Sequence, residues 1–175
     1  GRTWSRARVN ASHLPRVIAN FAMTWDGRVS TRNRTPSDFS SPADKRRLLE
    51  IRALGDALLV GRGTVEADTM SMRLRDPVLR DARAARGQTP EPLRAIASAR
   101  GRLDPAWKVF ARGGAPVVVY TSPAAAKRAA ATLAPTGASV ISADGPCAML
   151  ADLRARFGVR TVVCEGGPAL LRSLV

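Results

Sequence analysis

Hydrophobic positions in this chain come in short runs that stop at glycine- or proline-bearing turns, and between the runs apolar residues return at helical spacing. Arg16 to Met23 is a mostly apolar run ahead of the turn pair Asp26-Gly27 and predicts a first strand. Arg28 to Ser40 is polar and without period, a loop. Ser41-Pro42-Ala43-Asp44 supplies an N-cap serine, a proline at the first helical position and an acid where a capping box needs it; the helix begun there carries Leu48, Ile51 and Leu54 and should stop at Gly55. Ala57 to Val60 is apolar at every position, the pattern of a strand buried on both faces. The Arg-rich, proline-punctuated stretch after it yields no element until Leu93 to Ala97, and Pro116 to Tyr120 repeats the strand signal. Pro123 opens an Ala-rich helix to about Ala134, Ser139 to Ser142 is strand-like, Pro146 opens a helix to Phe157, Thr161 to Cys164 is a strand, and Pro168 starts a final helix through Leu174. Strands interleaved with helices of about 10–15 residues imply an α/β fold with parallel pairing.

A length of 175 residues, 45% hydrophobic and 24% charged, suits one domain and excludes disorder and fibrous repeats. Residues 1–14 read as a leader segment and 15–175 as the domain. No apolar run approaches the roughly 20 residues of a membrane span, and the basic N-terminal residues have no apolar segment behind them. Cys147 and Cys164 form no C-x-x-C pair and have only His13 to join them, so no metal site and no disulfide framework is expected, and the expected compartment is the cytoplasm. Cys164 reads as buried core and His13 as an exposed leader residue.

Charge changes the picture more. Lys and Arg total 28 against 14 for Asp and Glu, a net +14, and the only lysines are Lys45, Lys108 and Lys127. Such an excess invites a polyanion-binding reading. Arginine far above lysine, with abundant Ala, Gly and Pro, is also what a GC-rich genome writes, and it spreads arginines over a surface. Aromatic residues are 5% of the chain and do not interleave with the arginines as stacking platforms would, which argues against nucleic acid.

Chemistry concentrates at two apolar strands that end in glycine-bearing turns before a helix: Leu58-Leu59-Val60-Gly61-Arg62-Gly63-Thr64 and Val162-Val163-Cys164-Glu165-Gly166-Gly167-Pro168. Backbone N–H groups at such turns point into the crevice beyond the strand carboxyl ends, where phosphates bind. Neither turn is a Walker A sequence or a complete G-x-G-x-x-G.

Four segments in this order, Asn20-Phe21-Ala22-Met23-Thr24-Trp25-Asp26-Gly27, Ser41-Pro42-Ala43-Asp44 to Leu54, Val60-Gly61-Arg62-Gly63-Thr64-Val65-Glu66-Ala67-Asp68 and Glu165-Gly166-Gly167-Pro168, resemble the C-terminal reductase domain of the bifunctional riboflavin-biosynthesis enzyme RibD, over Pro15 to Val175. The resemblance implies a dihydrofolate-reductase-like three-layer sandwich with a mostly parallel central sheet. It implies an NADPH-dependent reductase that converts the ribosylamino group of a pyrimidine 5′-phosphate to ribitylamino, and a homodimer where the full-length domain is present. With no H-x-E or P-C-x-x-C deaminase signature, such a relative would be a stand-alone reductase. By the same resemblance Ala22, Gly63, Thr64, Asp68, Thr121, Gly166, Gly167, Pro168, Ala169 and Leu170 line the NADPH site. Glu165 is the catalytic candidate and faces the substrate together with Arg52, Met72, Arg73 and Arg75.

The residues themselves leave alternatives. Arg52 also fits a surface ion pair, and Arg73 and Arg75 a solvated loop. Thr121 and Ser122, with Lys127 or Arg128, could receive the cofactor's 2′-phosphate, but Ser122 would serve equally as a helix cap before Pro123. Asp68 would fit an acid in the first turn of a helix. Three features depart from the family pattern: Asn20 stands where a substrate-contacting lysine is common, the loop around Thr35-Pro36-Ser37-Asp38 differs, and Trp25 replaces a leucine. Family domains also continue past the E-G-G-P helix with a strand and hairpin, so C-terminal strands are expected to be missing and a sheet edge left open. Competing readings are a reductase of another small heterocycle or carbonyl compound, a truncated non-catalytic member, and a basic polyanion-binding module.

Overall fold

The structure, a computed structural model, describes residues 13–20, 25, 41–68 and 70–174. Ala22, the leader before His13 and the predicted loop 28–40 lie outside the described residues.

Six strands, β1 (Arg16–Ala19), β2 (Ala57–Gly61), β3 (Leu93–Ala97), β4 (Val117–Thr121), β5 (Ser139–Ser142) and β6 (Thr161–Cys164), form one sheet in the order β1-β6-β2-β3-β4-β5. Every pairing is parallel. Successive side chains on a strand point to opposite faces, and the core divides accordingly. Leu58, Val60, Ile96, Val119 and Val163 belong to one cluster, joined by Ile51 of α1 (Pro42–Arg52), Val65 of α2 (Arg62–Asp68) and Leu133 of α4 (Pro123–Leu133). Ala57, Leu59, Ala95, Val118, Val162 and Cys164 belong to the other, with Met149, Leu150 and Leu153 of α5 (Pro146–Phe157) and Leu170, Leu171 and Leu174 of α6 (Pro168–Leu174). Helices thus cover both faces, giving the three layers expected.

The start of α1 follows its sequence signal. Ser41 Oγ accepts from the Asp44 amide at 3.1 Å while Asp44 accepts from the Ser41 amide at 3.0 Å. The helix ends at Arg52, short of Gly55. A further helix, α3 (Pro77–Ala85), occupies the Arg-rich stretch in which no element was expected; Asp76 caps it by accepting from the Leu79 amide at 3.0 Å, and Pro77 opens it.

The reading of the arginines as surface residues fails at two positions. Arg83 of α3 is fully buried and Arg94 of β3 is 4% exposed. Both are tolerated inside because carbonyls surround them. Arg83 donates to the carbonyls of Thr89, Ala53 and Gly55, tying α3 to the end of α1. Arg94 donates to those of Ser71, Val109, Gly113 and Ala115. Replacing Arg83 by methionine fills a similar volume but leaves the Thr89 and Gly55 carbonyls without this donor, and is expected to lower stability by about 3 kcal/mol. Urea unfolding should show a lower midpoint at unchanged slope; an unchanged midpoint would refute the role.

Asp56 fastens the amino ends of β2 and β6. Burial opposes its ionisation, but hydrogen bonds from Gln88 Nε2 and the Arg160 and Thr161 amides, with the charge of Arg83, outweigh burial and hold its carboxyl below the usual range. A depressed folded-state value means that this stabilisation is complete above the unfolded value of about 3.9 and is lost as pH falls through the folded one. Stability of wild type should therefore converge on that of Asp56→Asn below about pH 4; a constant gap between the two in urea melts from neutral pH downward would contradict this.

The chain order places the crevice. After β2 the chain passes into α2 on the first face, whereas after β6 it passes into α6 on the second. Because β6 lies beside β2 in the sheet, their following segments diverge and leave a gap beyond their carboxyl ends, the place where open parallel sheets bind ligands.

Candidate active site

Both glycine-bearing turns meet in that gap. The Glu165 amide donates to the Leu59 carbonyl at 2.9 Å and the Asn20 amide to the Cys164 carbonyl at 2.9 Å, so β1, β6 and β2 present their carboxyl ends side by side. The turns are then joined directly: the Gly167 amide donates to Thr64 Oγ1 at 3.1 Å. A Cβ on Gly166 would lie 2.6 Å from Leu170 Cδ2 and 3.1 Å from Leu170 Cβ, so a side chain there would have to displace the Leu170 side chain at the start of α6. A Cβ on Gly63 would meet nothing within 4 Å. Gly63 is exposed in the first turn of α2, and Gly61 runs from β2 straight into that helix without a loop. Pro168, Ala169 and Leu170 form the first turn of α6, with Ala169 exposed and Leu170 half-buried against the second-face core. Asp68 is the last residue of α2, so it is not the first-turn acid that the dipole argument required.

Glu165 and Arg52 are brought together across the fold. Arg52 Nε donates to Oε1 and Nη2 to Oε2, both at 2.7 Å, with the side chains 12% and 7% exposed. This two-pronged geometry is the strongest form of the pair. The surface alternative for Arg52 therefore gives way to a nearly buried ion pair at the mouth of β6. Each Glu165 oxygen keeps a lone pair that can accept from a ligand N–H or O–H.

The remaining substrate candidates separate. Met72 has φ +54, in the left-handed region, and its side chain is 1% exposed inside the first-face core. The apolar thioether fills the space beneath its own loop, so only the backbone of Met72 is left to face a substrate, and such a backbone is uncommon outside glycine and costs about 1–3 kcal/mol. Arg73 is engaged by Glu91, Nε to Oε2 at 3.1 Å and Nη2 to Oε1 at 3.0 Å. Arg75 is exposed and makes no hydrogen bond or ion pair among the described residues.

Thr121 closes β4 at the same end of the sheet; it is buried, and its hydroxyl donates to the Ala99 carbonyl at 3.3 Å. Ser122 stands at the N-cap of α4 but makes no side-chain capping bond, so the capping role expected as an alternative is not formed. Arg128 donates to the Arg100 carbonyl at 2.7 Å and Arg62 to that of Arg102 at 3.0 Å, gripping the segment after β3 from two helices. Ser98, at the head of that segment, was missed from the sequence: it is 4% exposed and its hydroxyl has no partner. Its signal was available, a small polar residue directly after an apolar strand, the same position that singled out the glycine turns. The open Gly63 position and the unsatisfied Ser98 hydroxyl fit a polyphosphate-bearing nucleotide lying beyond the carboxyl ends of β2 and β3. Among the described residues no group of three or more His, Cys, Asp or Glu could hold a metal ion, and no helix is long and apolar enough to cross a membrane.

Comparison with known proteins identifies the family. The profile of the RibD C-terminal domain matches residues 15–175. The chain is 28% identical over 162 residues to the 2,5-diamino-6-ribosylamino-4(3H)-pyrimidinone 5′-phosphate reductase of Archaeoglobus fulgidus, covering 92% of this chain and 74% of that one. It is 30% identical over 163 residues to the protein of the same name from Methanothermobacter thermautotrophicus, covering 92% and 71%. Among solved structures, the diaminohydroxyphosphoribosylaminopyrimidine deaminase/5-amino-6-(5-phosphoribosylamino)uracil reductase of Thermotoga maritima superposes with a TM-score of 0.70 at 25% identity, over 93% of this chain and 42% of that one. A pyrimidine reductase-like protein of Corynebacterium diphtheriae shares the fold, with a TM-score of 0.75 at 18% identity over 90% and 68%.

Proposed function

The chain belongs to the RibD C-terminal domain family, and on that premise we propose that it is an NADPH-dependent reductase that converts the ribosylamino group of a pyrimidine 5′-phosphate to ribitylamino, as the names of its archaeal relatives describe for those proteins. The observation that carries the reading is the meeting of an Arg52–Glu165 pair with the Gly166–Gly167 turn and the start of α2, joined through Thr64 and Gly167, all beyond the carboxyl ends of adjacent parallel strands.

Gly63, Thr64, Gly166, Gly167 and the first turn of α6 would hold the cofactor's pyrophosphate and nicotinamide side, and Ser98 and Thr121 its adenosine side. Arg100, Arg102 and Lys127, exposed beside β3 and β4, favour the extra phosphate of NADPH over NADH. A bound reduced nicotinamide would supply the hydride for reduction at C1′ of the ribosyl unit. The protein's share is alignment and exclusion of water. Glu165, held at both oxygens by Arg52, has no torsional freedom to spare and accepts hydrogen bonds from the substrate as a fixed anchor. The proposal also takes in Ala22 and Asp68 on the cofactor side, residues 15–175 as the domain, the cytoplasm as the compartment, and a homodimer where the full-length domain is present.

Titration with NADPH should quench tryptophan fluorescence, and loss of reduced-nicotinamide absorbance should require the phosphoribosylamino-pyrimidine. Salt-sensitive RNA binding without any response to NADPH would sink the proposal.

A further inference from the structure

At the end of the sheet opposite the crevice, a recess of about 1080 Å³ crosses the amino ends of four neighbouring strands; Leu54, Arg80, Arg86, Pro116, Phe157 and Arg160 stand in its wall. Its floor is preformed. The Asp56 amide donates to the Thr161 carbonyl at 2.8 Å, the Leu93 amide to that of Asp56 at 2.9 Å and the Arg94 amide to that of Pro116 at 3.1 Å, so the starts of β6, β2, β3 and β4 are tied in sequence. Three strand spacings of about 4.8 Å make the trough roughly 14 Å long.

Two chemistries meet in it. Leu54 before β2 and Phe157 before β6 are large apolar side chains left 51% and 38% exposed. The acids of the wall are already answered: Asp56 accepts from Gln88 Nε2 and from the Arg160 and Thr161 amides, and both Glu91 oxygens accept from Arg73. The cations are not. The side chains of Arg80 and Arg160 make no hydrogen bond or ion pair among the described residues, and Arg86 spends Nε on Gln88 and Nη2 on the Ala53 carbonyl, leaving Nη1. Burial opposes ionisation of Glu91, but the Arg73 pair and the charge of Arg80 outweigh it and hold its carboxyl below the usual range. Arg80 therefore stands at the β3 end of the trough, away from Phe157 at the β6 end. Behind the wall, the buried Arg83 grips the carbonyls of Ala53, Gly55 and Thr89, and its Nη2 finds no acceptor among the described residues.

We propose that this recess is a second ligand site, for an aromatic anion about 10 Å long, two strand spacings, with its ring between Leu54 and Phe157 and its anionic group on Arg80 and Arg86. It stands apart from the reductase reading, since neither Arg52 and Glu165 nor the glycine turns line it. An apolar body suits the walls because covering them removes them from water. An aromatic one suits them better, because guanidinium groups stack on ring faces as well as forking onto anions.

The test titrates the protein with 8-anilinonaphthalene-1-sulfonate, whose fluorescence rises in apolar surroundings. One molecule should bind per chain, at least tenfold more tightly than N-phenyl-1-naphthylamine, the same body without the anion. Arg80→Gln and Phe157→Ser should each weaken the probe by about tenfold, with urea midpoints near wild type because neither side chain is buried. Gly63→Asp in the crevice and Arg47→Ala on the outer face of α1 should leave its affinity unchanged. Wild-type affinity in both recess variants would overturn the site, and so would equal binding of the uncharged body. Loss in Gly63→Asp with the recess variants unmoved would put the probe in the crevice and overturn the site as well. Equal losses in Arg47→Ala and Arg80→Gln would reduce the effect to the net charge of +14 and overturn it in favour of a general anion surface.

Discussion

Gly63→Asp is expected to lower NADPH affinity by a factor on the order of a hundred while leaving fold stability within about 1 kcal/mol of wild type. The two halves of that expectation come from different observations. A side chain at Gly63 meets nothing within 4 Å, and an acid in the first turn of a helix is favourable to its dipole, so the fold has no reason to object. The same carboxylate would stand beside the Thr64–Gly167 junction, where the account places the cofactor's phosphates, and like charges brought together in a partly desolvated crevice repel strongly. Gly166→Asp should be worse on both counts, because even its Cβ would collide with Leu170. Fluorescence titration of NADPH and urea melts of the two variants separate the effects. Wild-type affinity in Gly63→Asp would remove that glycine from the cofactor site.

Arg52→Ala carries the second large effect. Glu165 is 7% exposed and depends on Arg52 at both oxygens, so truncating the arginine leaves a nearly buried carboxylate without its partner, a loss of about 3–5 kcal/mol. Arg52→Lys keeps the charge but not the fork, and should recover part of the stability while still losing substrate affinity. NADPH affinity should stay near wild type in Arg52→Lys, since the Gly166–Gly167 backbone and Thr64 are untouched. Equal losses of substrate and NADPH affinity in Arg52→Lys would show that the pair belongs to the cofactor side.

Local signals were legible where the chain announces them locally. The capping box at Ser41 and Asp44, the continuous apolar run of Ala57 to Val60 and the prolines that open α4, α5 and α6 all fall where their chemistry placed them. The one missed long element, α3, carries the same device, Asp76 ahead of Pro77, but its arginines at positions 80, 83 and 86 hid its inward face. Arginine is ordinarily a surface residue, and only the fold reveals that Arg83 and Arg94 are surrounded by carbonyls of segments distant in sequence.

The site divides along the same line. The glycine turns were readable because strand, glycine and helix are contiguous. That Glu165 would be held by Arg52, 113 positions away, depends on β6 returning between β1 and β2, which no local pattern encodes. Met72 carries a different feature that its identity does not reveal: its side chain is buried in the core while its backbone takes a φ of +54.

The most direct test of the central claim is a single-turnover reaction of this protein with NADPH and the phosphoribosylamino-pyrimidine, followed by mass analysis of the pyrimidine. Wild type should form one ribitylamino product for each NADPH oxidised, and at NADPH concentrations near the wild-type Kd the initial rate in Gly63→Asp should fall on the order of a hundredfold with its occupancy. Equal rates in the two proteins at that concentration, or NADPH bound with no pyrimidine reduced, would contradict the reductase reading.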